Sequence, residues 1–284
     1  MKPSPFEYHA PTSLDEALDI LGSVGAEGAP LAGGQSLVPL MNLRLARPAH
    51  VVDINRIGGL DTLEHESGRL RVGALVRHAD MERSEVVRAQ LPIAAGVVPF
   101  IGYPAIRHRG TVVGSLAHAD PAAEWPCLAL ALDAEITLAR SGSRRSIAAS
   151  DFFMTMLTTV KEPDELLTEV SFRTDLASGG FYEFARRHGD FAIIAAVAAL
   201  RLESGSIAEA RIALAGAGDR PIRVREAEDA ITGEPMTQET VDRAAEIARD
   251  VVEPLEDIHG SSAYRKKLVE VAVERAMKKV LDGS

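Results

Sequence analysis

The chain has 284 residues, of which 46% are hydrophobic and 25% charged, and carries a formal net charge of −10. That length reads as about two domains with a core large enough to need no staple, and the acidic balance counts against a nucleic-acid partner, whose phosphates need a basic face. The lone cysteine, Cys127, excludes an intramolecular disulfide and cannot hold an iron–sulfur cluster, which usually takes four thiolates.

In chain order, the N-terminus lacks the apolar stretch of a signal peptide. The longest apolar run, Phe191 to Leu200, is half what a spanning helix needs. A cytoplasmic chain without membrane insertion is expected. Ser13-Leu-Asp-Glu16 predicts a capping box opening a helix that carries Leu14, Ala17, Leu18 and Leu21 on one face and stops at Gly22. Residues 29–32 predict a short strand running into Gly33-Gly34. Leu37 to Leu45 predicts a helix and Val51 to Ile54 a strand. Arg69 to Ala74 is strand-like. His78 to Gln90 and Ile93 to Ile106 are helical, the second interrupted by glycine and proline.

Ala122 to Leu132 predicts a helix that tolerates Pro126 only in its first turn. Glu135 to Ala139 and Arg144 to Ile147 form a hairpin around Ser141-Gly142-Ser143, and Leu166 to Phe172 a further strand. Ala177-Ser-Gly-Gly180 reads as a linker. Beyond it, Ala192 to Glu203 and Ile207 to Ala215 are strands, and 224–232, 237–252 and 261–281 are helices. The fold class is α+β, with two domains meeting near residue 178.

The most informative stretch is Leu31-Ala-Gly-Gly-Gln-Ser-Leu-Val38. Adjacent glycines between a strand and a helix let successive amides point at one anion, and the helix start adds its own free N–H groups. Gln35 and Ser36 add side-chain donors. A tight turn that binds nothing uses the same residues. The Gly-x-Gly-x-x-Gly fingerprint and the P-loop lysine are both absent, which counts against Rossmann NAD binding and P-loop hydrolysis. A second stretch, Ile106 to Glu124, combines Gly110, Thr111, Gly114 and Ser115 with the cations Arg107 and Arg109 and the carboxylates Asp120 and Glu124. Hydroxyls and amides suit phosphates, and carboxylates suit ribose hydroxyls or a flavin N–H. Two such turns match the two ends of a dinucleotide.

On these residues the chain resembles the FAD-binding medium subunits of the molybdenum hydroxylases, whose relatives include carbon monoxide dehydrogenase, quinoline oxidoreductase and the flavin domain of xanthine dehydrogenase. Ala32-Gly-Gly-Gln-Ser36 is similar to the family's first FAD motif and Arg107 to Glu124 to its second. Arg186-Arg-His-Gly-Asp-Phe-Ala192 is similar to a strand that approaches the flavin. Residues 213–228 and Gly260-Ser-Ser-Ala-Tyr-Arg265 resemble the C-terminal domain.

The resemblance implies a PCMH-type FAD-binding domain over 1–177, built of two α/β subdomains at about 1–55 and 56–177. A smaller C-terminal α+β domain of antiparallel strands with helices would follow over 178–284. It implies that Leu31, Ala32, Gly33, Gly34, Gln35, Ser36, Leu37 and Val38 hold the FAD pyrophosphate, with Arg107, Gly110, Thr111, Gly114 and Ser115 forming the second turn. Asp120 or Glu124 would meet a polar group of the adenosine or ribityl part. Arg187, Asp190 and Phe191 would lie near the isoalloxazine, with Phe191 covering a ring face. Val113 departs from the pattern by standing where relatives usually have glycine; a positive φ there would strain it.

The resemblance further implies [2Fe-2S] clusters on a small partner subunit and molybdopterin on a large one, in a dimer of heterotrimers. This chain would pass electrons from the clusters to an external acceptor. A self-sufficient FAD-dependent oxidoreductase and a scaffold without cofactor are the alternatives. No residue pair reads as nucleophile and base. The eight histidines show no ligand spacing, since there is no His-Glu-x-x-His pair, so neither a catalytic side chain nor a metal site is expected. Cys127, beside Trp125-Pro126, reads as a buried inert thiol. Trp125 itself reads equally as a flavin neighbour or as core.

Overall fold

The computed structural model describes residues 2–176 and 178–282. The chain first builds a three-stranded parallel sheet with β1 (Glu7–His9), α1 (Leu14–Val24), β2 (Gly28–Leu31), α2 (Leu37–Asn42) and β3 (His50–Asp53), in the order β1-β3-β2. Ser13 Oγ accepts the Glu16 N–H, and the Glu16 carboxylate reaches back to the Thr12 N–H, one residue before the cap. Such a cap contributes about 1 kcal/mol. Gly22 does not end α1. The helix continues to Val24, and Gly25 ends it at φ +53, a positive angle that glycine adopts freely.

A second unit follows: β4 (Leu63–Glu66), β5 (Arg69–Gly73), α3 (His78–Arg83), α4 (Glu85–Gln90), α5 (Pro92–Val97), α6 (Pro104–Arg107), α7 (Val112–His118), α8 (Glu124–Ala131), β6 (Glu135–Arg140), β7 (Ser143–Ala148), α9 (Ala149–Phe152), β8 (Phe153–Thr155), β9 (Thr158–Thr159) and β10 (Leu166–Arg173). Its sheet is antiparallel with β10 central, in the order β4-β5-β10-β6-β7. The helix expected over His78 to Gln90 is broken at Ser84, whose extended backbone lets its Oγ accept the Val87 N–H and start a new helix. Every residue of α8 is buried. A helix apolar all round needs partners on every side, and α8 packs against both α7 and the strands that follow.

The last unit holds β11 (Ser178–Phe184), β12 (Ile194–Glu203), β13 (Ser206–Ala215), β14 (Ile222–Arg223), α10 (Arg225–Ile231), α11 (Gln238–Val251) and α12 (Ser262–Leu281). Its four strands lie in sequence order and pair antiparallel. The architecture is α+β. The apolar run ending at Leu200 lies mostly in β12, which is covered on both faces. Ala195, Val197 and Ala199 join the core of the preceding unit, while Ile194, Ala196, Ala198 and Leu200 join the core under α10, α11 and α12.

The linker expected at 177–180 is corrected here. Ala177 lies outside the described residues, but Gly179 and Gly180 are strand residues of β11 paired with Ala199 and Ala198. A Cβ on Gly180 would lie 1.9 Å from the Ala276 carbonyl oxygen of α12, and one on Gly179 would lie 2.7 Å from Ile93 Cδ1 of α5. These glycines serve close packing, not freedom.

Candidate functional site

The two glycine turns meet. The first joins β2 to α2, and the second joins α6 to α7. A Cβ on Gly33 would stand 2.3 Å from the Arg109 carbonyl oxygen and 2.8 Å from Gly110 Cα, so only glycine lets the backbones touch. Gly34 has φ +72. Among the described residues the amides of Gly34, Gln35 and Ser36 have no protein acceptor, and Ser36 Oγ makes no capping bond. Together these groups offer unspent donors to an anion.

The second turn is spent differently. Thr111 Oγ1 accepts the Gly114 N–H as the cap of α7, and a Cβ on Gly114 would lie 2.5 Å from that oxygen. Val113 sits inside α7, buried, and is absent from the positive-φ residues. The strain its place in the motif threatened does not arise, because this turn is a capped helix start and not a left-handed loop.

Two side chains that sequence reasoning missed hold the turns together. Arg77 Nη1 donates to the Arg109 carbonyl at 2.6 Å and Arg77 Nη2 to Asn55 Oδ1. Asn55 Nδ2 in turn donates to the Ala32 carbonyl at 2.8 Å. The residues before Gly33 and Gly110 are thereby tied through one guanidinium. Asn55 follows β3 and Arg77 precedes α3, so no local pattern marks them.

Both turns line a cleft of about 500 Å³. Leu31, Ala32, Gly33, Gly34, Gln35, Ser36 and Leu37 line it together with Gly110, Thr111, Gly114, Ser115, Asp120, Glu124, Asp190 and Phe191. Three of the expected residues are not brought there. Val38 faces solvent beyond the turn. Arg107 is buried and holds the Glu82 carboxylate and the Ile101 and Gly102 carbonyls. Arg187 is exposed outside the lining, and its carbonyl accepts the Asp190 N–H.

His78, which also lines the cleft, was not anticipated. Trp125 Nε1–H donates to His78 Nδ1 at 3.0 Å. An indole nitrogen only donates, so Nδ1 is the acceptor and the proton of the neutral ring sits on Nε2. Burial, then the Arg107 charge, push its pKa down to about 4, consistent with that neutral tautomer. Trp125 is fully buried and outside the lining, so of its two readings the core one holds. Cys127 is fully buried, and desolvation drives its thiol far up.

Two carboxyls change character through burial. Glu124 is pushed up to about 7, chiefly by desolvation. Glu183 on β11 rises to about 8, first by desolvation and then by the Glu124 charge, and its Oε2 is buried without a partner. Glu124 thus reaches neutral pH partly protonated and can donate as well as accept. Asp120 Oδ1 instead accepts the Ala122 N–H, which closes the turn after α7.

A second cleft of about 570 Å³ adjoins the first and shares Asp120, Gly189, Asp190 and Phe191 with it. Phe191 is 70% exposed at this junction. Arg265, a buried residue of its lining, fixes the Ile193 carbonyl and the Asp257 carboxylate. Donors at the glycine turns, carboxyls and an aromatic ring line these two adjoining clefts, the set of groups that the phosphates, hydroxyls and ring of a flavin dinucleotide call for.

The sequence matches two family profiles. One is described as FAD binding domain in molybdopterin dehydrogenase and covers residues 4–172; the other is the CO dehydrogenase flavoprotein C-terminal domain over residues 179–280. The chain is 39% identical to the 6-hydroxypseudooxynicotine dehydrogenase complex subunit alpha of Paenarthrobacter nicotinovorans, over 99% of this chain and 96% of that one. It is 34% identical to the carbon monoxide dehydrogenase medium chain of Hydrogenophaga pseudoflava, over 98% and 97%. Among solved structures it superposes on quinoline 2-oxidoreductase from Pseudomonas putida 86 with a TM-score of 0.95 at 36% identity, covering 100% of this chain and 99% of that one. Among the described residues no helix is long and apolar enough to cross a membrane. Fold, turn chemistry and whole-length similarity agree: the chain belongs to the FAD-binding medium subunits of the molybdenum hydroxylase family, oxidoreductase components that carry the flavin.

Proposed function

We propose that this chain is the electron-transfer flavoprotein of a three-subunit complex, taking electrons from the [2Fe-2S] clusters of a small subunit and passing them to an external acceptor. A large subunit would carry molybdopterin and the organic substrate, and the complex would be a dimer of heterotrimers. The observation that carries the reading is the contact of the two glycine turns over one cleft, with unspent amides at Gly34, Gln35 and Ser36.

The amides after Gly33, with the hydroxyls of Ser36 and Ser115, hold the pyrophosphate. Thr111 and Gly114 shape the start of α7 beside it. Glu124 and Asp120 meet ribose or ribityl hydroxyls, and Asp190 and Phe191 border the ring. Arg107 and Arg187 lie outside the cleft and act on the segments that form it. When bound, FAD supplies the exchange between one-electron clusters and a two-electron acceptor. The protein supplies position and a dry wall. Residues 1–177, as subdomains 1–55 and 56–177, grip the dinucleotide, and 178–284 closes the ring end. The exposed Met156, Leu157, Phe191 and Leu255 around the second cleft offer an apolar edge to a partner.

The test is kinetic. The purified chain loaded with FAD is expected to reduce artificial acceptors from a chemical donor, and to show no flavin reduction by organic substrates in stopped flow. Reduction by a substrate without partner subunits would overturn the division of labour in favour of a self-sufficient oxidoreductase. A protein that purifies colourless and takes up no FAD would overturn the flavoprotein reading itself.

A further inference from the structure

The parallel pairing of β1 with β3 does something that a reading along the chain cannot show. Glu7 and His9 are two apart on β1 and therefore on the same face, and His50 is the register partner of Glu7 on β3. The three side chains converge. His9 Nε2 and His50 Nδ1 are 3.0 Å apart. The Glu7 carboxylate straddles them, with Oε1 3.9 Å from the His9 nitrogen and Oε2 3.6 Å from the His50 nitrogen. All three donor atoms lie within 4.8 Å of one another.

We propose that Glu7, His9 and His50 form a surface site for a first-row divalent cation of the zinc type, which clips the edge strand β1 to β3. Donors around a four-coordinate zinc, at 2.0–2.1 Å from the metal, stand about 3.3 Å apart. The two ring nitrogens, 3.0 Å apart, stand close to that value, and one Glu7 oxygen lies 3.9 Å from the first and the other 3.6 Å from the second. Glu7 lies beyond hydrogen-bond distance of both rings, so the carboxylate is a third vertex held near the pair and not spent on it. The imidazole side chains are only 20% and 23% exposed, whereas the carboxylate is 66% exposed and leaves a path in for the ion. Two imidazoles with one carboxylate favour zinc, cobalt or nickel over magnesium or calcium, which prefer all-oxygen sites. Water completes the shell.

The site is separate from the cleft, none of whose lining residues it includes. Its effect is mechanical. β1 is a three-residue edge strand, and on it Tyr8 Oη also donates to Asp53, at the end of β3, at 2.6 Å. A metal bridging His9 to His50 adds a cross-link to a strand pair that has few backbone bonds, and stabilises the folded chain in proportion to its occupancy. Histidine spacing along the chain gives no sign of such a site, because its residues come from strands about forty residues apart that meet only through parallel pairing.

The test is calorimetric titration of ZnCl2 into the untagged, chelator-treated, FAD-loaded full chain at pH 7.5, with His9→Gln, His50→Gln and Glu7→Gln beside it. One saturable equivalent is expected. Both histidine variants should lose roughly 10–100-fold or more in affinity, since even outer partners of metal ligands cost that much, and Zn2+ should raise the Tm of the wild type but not of these variants. Flavin content should be equal in all four proteins. No saturable equivalent, or binding unchanged in the histidine variants, would overturn the site. Should one histidine variant misfold by circular dichroism, the exposed Glu7→Gln change must still weaken binding, and unchanged binding there would overturn the three-residue site.

Discussion

Replacing Gly33 by alanine is expected to lower FAD affinity by about 10²–10⁴-fold while leaving a folded chain. The added Cβ would stand 2.3 Å from the Arg109 carbonyl oxygen, a distance that no rotamer change relieves, because both partners are backbone. The two turns must separate. The donors that face one pyrophosphate then lose their common focus. Losing two hydrogen bonds to a charged group, at about 1.5–3 kcal/mol each, corresponds to the stated change in Kd. Flavin-to-protein ratio after gel filtration, with titration by flavin fluorescence, reads the effect. Full flavin occupancy in Gly33→Ala would mean that contact between the turns is not what forms the cradle.

Gly180→Ala is expected to destabilise the fold by about 3 kcal/mol or more, at the upper end of overpacking costs. A Cβ there would lie 1.9 Å from the Ala276 carbonyl oxygen and 2.8 Å from its carbon, so β11 and α12 must part. Those two elements carry much of the interface between the last sheet and its helices. Gly96→Ala is the internal control, since Gly96 lies within α5 and a Cβ there meets nothing within 4 Å. Alanine there should be neutral or stabilising by about 0.5–1 kcal/mol. Urea unfolding midpoints of the two variants decide the matter. Equal midpoints would show that the β11–α12 contact yields at no cost.

Gly180 also shows where reading along the chain reaches its limit. Ser-Gly-Gly has the composition of a linker, and nothing local separates a flexible glycine from one pressed against a helix backbone. The same limit hid β1, whose pairing with β3 spans some forty residues. It also hid Arg77 and Asn55, which join the two turns across the fold.

What could be read was local or periodic. The Ser13 cap, the β6–β7 hairpin and the three C-terminal helices follow from spacing alone. The glycine turns were legible as turns because glycine between strand and helix has few other uses. Their contact was not, because it joins backbones far apart along the chain, Gly33 against Arg109 and Gly110. A cation beside a phosphate-type turn invites an ionic role, and Arg107 shows why sequence position does not place it: its guanidinium holds Glu82 and two carbonyls outside the cleft lining.

Determining the crystal structure of the full chain with bound FAD tests the central claim most directly. The account predicts pyrophosphate oxygens within about 3.2 Å of the amide nitrogens of Gly34, Gln35 and Ser36, the second turn closing over the same group, and the ring reaching the Phe191 end. A dinucleotide seated elsewhere, or one touching only a single turn, would contradict it.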